Sequence, residues 1–150
     1  VLHPQSFIHS LVQYIDGSVL AQLGYPDMRT PIAHALGWPK RITSGVAELD
    51  LSRIAPLEFR NPEKERFPCL WLAAAAIKEG GTAPVILNAA NEVAVSAFLG
   101  RNIKFTDIPD VIEAVIDTLP SEAVEGIDML LETDARARAA AQQYMRKECS

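Results

Sequence analysis

The chain has 150 residues, of which 49% are hydrophobic and 22% are charged, and its formal net charge at pH 7 is −5. This composition permits a buried core in one domain or in two small ones. It excludes the basic character of a nucleic-acid-binding domain. No apolar run is long enough to span a bilayer, and no secretory signal is visible. Cys69 and Cys149 lie far apart without CxxC spacing, which predicts reduced thiols in a cytoplasmic protein.

The first four residues, Val1-Leu2-His3-Pro4, place an apolar pair before a proline and include no initiator methionine. We interpret them as the end of a strand whose beginning lies in a preceding segment. The sequence is therefore expected to be part of a longer protein.

A β-hairpin is predicted near the start of the chain. The segments 7–15 and 18–23 are rich in β-branched and aromatic residues, and Asp16-Gly17 lies between them. Asp-Gly in this position indicates a two-residue type I′ turn, which needs positive φ at both central residues.

A two-residue turn would fix the pairing of the two strands. It places Ile15 opposite Ser18 and His9 opposite Gly24, and side chains then alternate between the two faces. One face would be mostly apolar and packed on a core, while the other would be mixed and either solvated or part of a wet interface. The mostly apolar face would carry Ile8, Ser10, Val12, Tyr14, Val19, Ala21 and Leu23. The mixed face would carry His9, Leu11, Gln13, Leu20 and Gln22.

A short helix follows the hairpin. Thr30-Pro31 has the residue types of an N-cap and a first helical position, and Gly37 fits the position after the last turn. These signals predict a helix over 31–36. Farther on, 49–51 and 57–59 have the residue types of short strands.

From residue 61 onward the pattern becomes helical. Pro68 fits a first helical position, and Thr106 and Thr133 fit N-caps. The predicted helices are 68–79, 87–99, 107–119 and 134–147. We therefore expect an α+β chain, with a β-containing part at 1–60 and a helical bundle at 65–150.

The loop Pro26-Asp27-Met28 and the nearby His9 are the candidate site residues. Asp27 is able to brace its own loop by accepting backbone hydrogen bonds. Met28 suits the flat ring of a ligand or a gap in a core, and the residue types alone favour the core. His9 has a structural and a functional interpretation, and neither is favoured. His3 and His34 are more simply structural.

Other polar groups have structural interpretations. The segment Asn88–Glu92 is typical of a helix start, where Asn and Glu are favoured by capping and by the helix dipole. The acids at 122, 125, 128 and 132 follow helical spacing and are interpreted as a solvated face. The sequence has no HExxH, GxSxG, GxGxxG or P-loop motif, so these residues alone name no reaction.

Four phrases of the sequence resemble the 1-deoxy-D-xylulose 5-phosphate reductoisomerase family. They are HPQSFIHSLVQYIDGSVLAQLGYPDMRTPIAHALGWP, ERFPCLWLA, GGTAPVILNAANEVAVSAFL and FTDIPDVIEAVI. The resemblance runs through nearly the whole chain and corresponds to the C-terminal part of such an enzyme. It implies that 1–60 is the end of the catalytic, dimerising domain and that 65–150 is the C-terminal helical domain.

The resemblance also implies a function for the parent protein. This family converts 1-deoxy-D-xylulose 5-phosphate to 2-C-methyl-D-erythritol 4-phosphate in the non-mevalonate isoprenoid pathway, using NADPH and a divalent metal (Mg, Mn or Co). The expected partners are the missing N-terminal part, a second subunit in a homodimer and the phosphosugar, with no nucleic acid and no membrane. A bacterial-type cytoplasmic location is expected.

The family's nucleotide-binding loops and metal ligands lie upstream, so no metal ligand is assigned in this segment. By resemblance, His9 matches the second histidine of HPQSxxHS near the mobile flap and takes a supporting catalytic role. Met28 matches the cofactor side of the pocket, and Pro26 and Asp27 match its wall. The isolated 150 residues are expected to bind no cofactor and to be inert, and the alternative is a dimerisation or scaffold module without catalysis.

Overall fold

The structure, a computed structural model, describes residues 1–54 and 56–148, the last without its side chain. The chain divides into two compact units, with the division between Pro62 and Glu63. Among the described residues, the first unit contains a β-hairpin and one helix, and the second contains four helices. The predicted α+β class is confirmed.

The hairpin consists of β1 (Ile8–Gln13) and β2 (Val19–Leu23). The two strands are antiparallel neighbours. The short strands expected at 49–51 and 57–59 are not formed. Next to the second of these segments, Arg60 forms an isolated bridge with Leu2, through an N–H···O bond in each direction of 2.7 and 3.0 Å.

The predicted turn of the hairpin is wrong by one residue. The Tyr14 N–H donates to the Ser18 carbonyl at 2.9 Å, which leaves a three-residue loop from Ile15 to Gly17. Asp16 holds this loop because its carboxylate accepts from the N–H and the hydroxyl of Ser18, at 2.9 and 2.7 Å. Gly17 has φ of +87° and Asp16 has no positive φ, so a type I′ turn is excluded.

The shifted register changes the faces of the hairpin. Leu11 lies opposite Ala21 and Val12 lies opposite Leu20. One observed face carries Leu11, Gln13, Val19 and Ala21. The other carries Ser10, Val12, Leu20 and Gln22. Both carry exposed apolar side chains, so the predicted packing of one face on a core does not form within the described part of the chain.

Helix α1 (Arg29–Gly37) begins two residues before its predicted start. Thr30 is inside the helix rather than at its N-cap. The N-cap position belongs to Met28, whose side chain makes no capping bond. Asp27 takes over this function, since its Oδ1 accepts from the Arg29 N–H at 2.9 Å.

The second unit consists of α2 (Pro68–Glu79), α3 (Ala83–Leu99), α4 (Asp107–Thr118) and α5 (Ile127–Glu148). Pro68 begins α2 and Thr106 precedes α4, as predicted, although the Thr106 side chain makes no capping bond. Helix α3 packs against both α4 and α5. Their common core is Ile86, Ala89, Ala90, Ala94, Ile108, Val111, Ile112, Val115, Ala137 and Ala141.

Two helices of this unit begin earlier than predicted. The start of α3 is at Ala83, after Thr82, so Asn88 lies in the second turn and caps nothing. The start of α5 is at Ile127, so Thr133 is a buried residue inside the helix, 7% exposed, and not an N-cap. None of the described helices is both long and apolar enough to cross a bilayer.

A polar cross-link joins the α2–α3 turn to the α4–α5 connection. The Thr82 N–H donates to the Glu122 carbonyl at 2.9 Å, and the Glu122 N–H donates to the Thr82 hydroxyl at 3.0 Å. The Ser121 hydroxyl donates to the Gly80 carbonyl at 3.1 Å and accepts from the Ala83 N–H at 3.2 Å. Thr82 is 1% exposed, so these bonds are shielded from water.

Candidate functional site

The Pro26–Met28 loop lies directly between β2 and α1. Its base is held by the Gly24 N–H, which donates to the Phe7 carbonyl at 3.0 Å. The rings of Phe7 and Tyr25 meet edge to face, with centroids 5.7 Å apart. The loop is therefore attached to the hairpin on one side and to a helix on the other.

Asp27 braces this loop, as its residue type predicts. Its Oδ2 accepts from Arg29 Nε at 3.0 Å and from an Arg29 terminal nitrogen at 2.7 Å, and Oδ1 accepts from the Arg29 backbone and Nε. These hydrogen bonds and the guanidinium charge hold the pKa of the Asp27 carboxyl below its usual value. Arg29 also donates to the Gly45 carbonyl at 3.3 Å. Both Asp27 oxygens are thus occupied by Arg29, and sequence reasoning missed this partner.

Met28 points away from the interior of its unit. It is 70% exposed, so the interpretation of Met28 as a core residue is wrong. Ile32 and Leu36, one and two turns farther along, are 52% and 80% exposed. Residues spaced by four lie on one side of a helix, so Met28 begins an uncovered apolar stripe.

His9 is the extra residue of a β-bulge, because the strand register shifts between Ile8 and Ser10. Its Nδ1 lies 3.0 Å from Gln22 Oε1, and Gln22 Nε2 donates to the Leu23 carbonyl at 3.0 Å. A Cβ added at Gly24 would lie 3.8 Å from His9 Cε1. The expected proximity of His9 to Gly24 is therefore present, but the bulge produces it, and Gln22 was not foreseen as a partner.

The other two histidines are held differently. His3 uses both ring nitrogens: Nδ1 lies 2.9 Å from the Glu58 carbonyl, and Nε2 accepts from the Phe7 N–H at 3.2 Å. His34 meets Trp38 edge to face, with ring centroids 5.5 Å apart. Its Nδ1 is buried and has no hydrogen-bond partner among the described residues.

The Asn88–Glu92 segment is structural, although not for the capping reason expected. Glu92 accepts from Asn88 at 3.2 Å and from Arg138 of α5 at 2.7 Å, and Arg138 also binds Asp134 at 2.6 Å. The hydrogen bond from Arg138 is the main cause that lowers the pKa of the Glu92 carboxyl. The group links α3 to α5 on the surface of the second unit.

The remaining candidates are also accounted for. The acids at 122, 125, 128 and 132 are exposed, but the first two precede α5 and do not follow helical spacing. Cys69 is a free, half-buried thiol whose pKa is raised by burial, and Cys149 lies outside the described residues. Within the described residues, no three His, Cys, Asp or Glu side chains are grouped to hold a metal.

Comparisons with known proteins match nearly the whole chain. Residues 23–140 match the family model described as the DXP reductoisomerase C-terminal domain. The 1-deoxy-D-xylulose 5-phosphate reductoisomerase of Pseudomonas savastanoi pv. phaseolicola is 59% identical over 147 residues, which are 98% of this chain and 37% of that protein. The enzyme of the same name from Methylobacillus flagellatus is 60% identical over 148 residues, 99% of this chain and 38% of its own.

Solved structures agree with these relatives. The reductoisomerase of Zymomonas mobilis in complex with NADPH has a TM-score of 0.84 and 46% identity, covering 95% of this chain and 38% of its own. A DOX-P reductoisomerase in complex with NADPH, fosmidomycin and magnesium has a TM-score of 0.86 and 43% identity. The match covers 99% of this chain and 39% of that protein's chain.

The chain thus spans a little over a third of the length of these relatives. The family model covers most of its residues, and both the β-hairpin unit and the helical unit have counterparts in the solved structures. The chain belongs to the DXP reductoisomerase family, and its residues 23–140 match that family's C-terminal domain.

Proposed function

We propose that this chain is part of an NADPH-dependent reductoisomerase that converts 1-deoxy-D-xylulose 5-phosphate to 2-C-methyl-D-erythritol 4-phosphate in cytoplasmic non-mevalonate isoprenoid biosynthesis. The identity of about 60% over nearly the whole chain is the observation that carries the proposal. The test is a steady-state assay of the full-length protein, in which NADPH oxidation depends on both the phosphosugar and a divalent metal. Absence of that dependence contradicts the proposal.

Within such an enzyme, residues 1–60 would end the catalytic domain and residues 65–150 would form the C-terminal domain. The described residues do not form a binding site for the divalent metal, because no three His, Cys, Asp or Glu side chains among them are grouped to hold it. The sequence also lacks a glycine-rich nucleotide fingerprint. The metal and the NADPH phosphates would therefore be held by the preceding part of the same protein, and the isolated chain would be an inert module.

The contribution of this chain would be one wall of the substrate pocket. Met28 supports this role because its thioether is exposed and adaptable, which suits a contact with the flat nicotinamide ring. Pro26 and Asp27 would form the wall behind it. Because both carboxylate oxygens of Asp27 already bind Arg29, Asp27 would act by holding the loop and would not bind the substrate directly.

His9 would support the closed geometry of the pocket. Removing a histidine that positions a loop is expected to lower turnover by about 100-fold without unfolding the protein. In the full-length enzyme, His9→Ala should lower kcat/KM by this order, and His9→Gln should be milder because it keeps some hydrogen bonding. Both should leave the Tm nearly unchanged. A sharp fall in Tm, with residual activity tracking the folded fraction, would show that His9 is structural.

A homodimer formed through the hairpin sheet is also part of the proposal. Val12 and Leu20, opposite each other on one face, are 53% and 62% exposed, and Val19 on the other face is 54% exposed. A two-stranded hairpin uncovered on both faces is marginally stable by itself, so further protein should cover it. Sedimentation velocity of the full-length protein should give a dimer, and Leu20→Lys should shift it toward monomer. A wild-type protein that is monomeric at every concentration contradicts this assignment.

A further inference from the structure

The hydrogen bonds around His9 determine which ring nitrogen carries its proton. The Leu23 carbonyl can only accept, so the Gln22 atom that contacts it at 3.0 Å is the Nε2 amide donor. The other atom of the same amide, Oε1, is then the one that lies 3.0 Å from His9 Nδ1. Because Oε1 can only accept, Nδ1 must donate.

A neutral histidine that is protonated at Nδ1 has its lone pair at Nε2. No hydrogen bond to His9 Nε2 forms among the described residues, and the side chain is exposed. His3 is the contrast, since its Nε2 lone pair is already used by the Phe7 N–H. His9 therefore offers an acceptor on the side of the hairpin where Gly24 leads into the Pro26–Met28 loop.

We propose that Gln22 is a positioning residue that fixes the tautomer of His9, so that Nε2 accepts a hydrogen bond from a hydroxyl of the substrate in the pocket. This inference rests on the proposed function, which supplies the polyhydroxy substrate. The hydrogen bond made by one ring nitrogen sets the role of the other, which is how partners of functional histidines act.

The first test is the tautomer itself, which does not depend on any activity. Long-range ¹H–¹⁵N correlation spectra of the full-length protein, labelled at histidine, report which nitrogen of His9 is protonated. Wild type should show Nδ1–H, and Gln22→Leu should lose it. Gln142→Leu is the control, since Gln142 is exposed on α5, outside the hairpin, and has no side-chain hydrogen bond among the described residues. A wild-type Nε2–H spectrum overturns the proposal.

The second test is kinetic and uses the full-length protein. Gln22→Leu should lower kcat by about 10-fold to 100-fold, as for other partners of functional histidines, and leave the KM for NADPH unchanged. Gln142→Leu, at an exposed glutamine of α5 outside the hairpin, should match wild type. A Gln22→Leu enzyme with wild-type kcat overturns the positioning role, even if the tautomer is as expected. A wild-type protein without reductoisomerase turnover would refute the proposed function, while the spectra would still decide the assignment of the tautomer.

Discussion

Replacing Gly81 with alanine is expected to lower the free energy of unfolding of the helical unit by about 3–5 kcal/mol, near the upper end of single-residue effects. A Cβ added at Gly81 would overlap the backbone carbonyl oxygen of Glu122 and would lie 2.9 Å from the Ser121 hydroxyl. Gly81 also has φ of +53°, which alanine adopts only with strain. The backbone of the 121–122 segment cannot yield as a flexible side chain would.

The clash would act on the whole polar cross-link around Thr82. Displacing Glu122 breaks the two bonds that it exchanges with Thr82, and Thr82 is too buried for water to replace them. A buried polar group left without its partner costs about 1–3 kcal/mol. The loss should therefore exceed the strain of the left-handed backbone alone.

Two further variants separate these causes. Gly126→Ala, in the same connection, adds a Cβ that meets nothing within 4 Å and should change stability little. Gly81→Asn relieves much of the backbone strain, because asparagine tolerates the left-handed region, but it keeps the clash. Urea unfolding of the 150-residue chain, followed by far-UV circular dichroism, measures all three. Stability of Gly81→Ala within 1 kcal/mol of wild type, or of Gly81→Asn near that of Gly126→Ala, contradicts the clash as the cause.

Local signals in the sequence predicted those parts of the fold that local chemistry determines. Pro68 begins α2 because proline at a first helical position loses no hydrogen bond, and Thr106 precedes α4. The start of α3 was missed because Thr82 makes its bonds to Glu122, forty residues away, and its side chain does not cap the helix. Thr133 has the residue type of a cap, but the structure buries it inside α5.

The candidate site was predicted in part for the same reason. The bracing role of Asp27 follows from its residue type, and the structure adds Arg29 as the partner that occupies both carboxylate oxygens. The contact between Gln22 and His9 could not be foreseen. The β-bulge at His9 brings the two side chains together, and no residue pattern in the sequence marks this bulge. The exposure of Met28 depends on which surfaces the rest of the unit covers, and hydrophobicity alone cannot decide this.

The isolated 150-residue chain is expected to show no turnover of 1-deoxy-D-xylulose 5-phosphate. Its described residues contain no group of three side chains able to hold a metal, and the wall that we propose for Pro26, Asp27 and Met28 would close only one side of a pocket. Catalysis needs a substrate held in reacting geometry against the cofactor, and one wall cannot provide this. The loss relative to the full-length protein should therefore be complete, although the helical unit remains folded.

A parallel assay of NADPH oxidation by the full-length protein and by the 150-residue chain tests whether the chain is an inactive part of a reductoisomerase. Both are compared at equal concentrations of folded protein, with the phosphosugar and a divalent metal present. We expect turnover that depends on substrate and metal for the full-length protein, and none for the chain alone. Turnover by the chain alone, or its absence from the folded full-length protein, would contradict it.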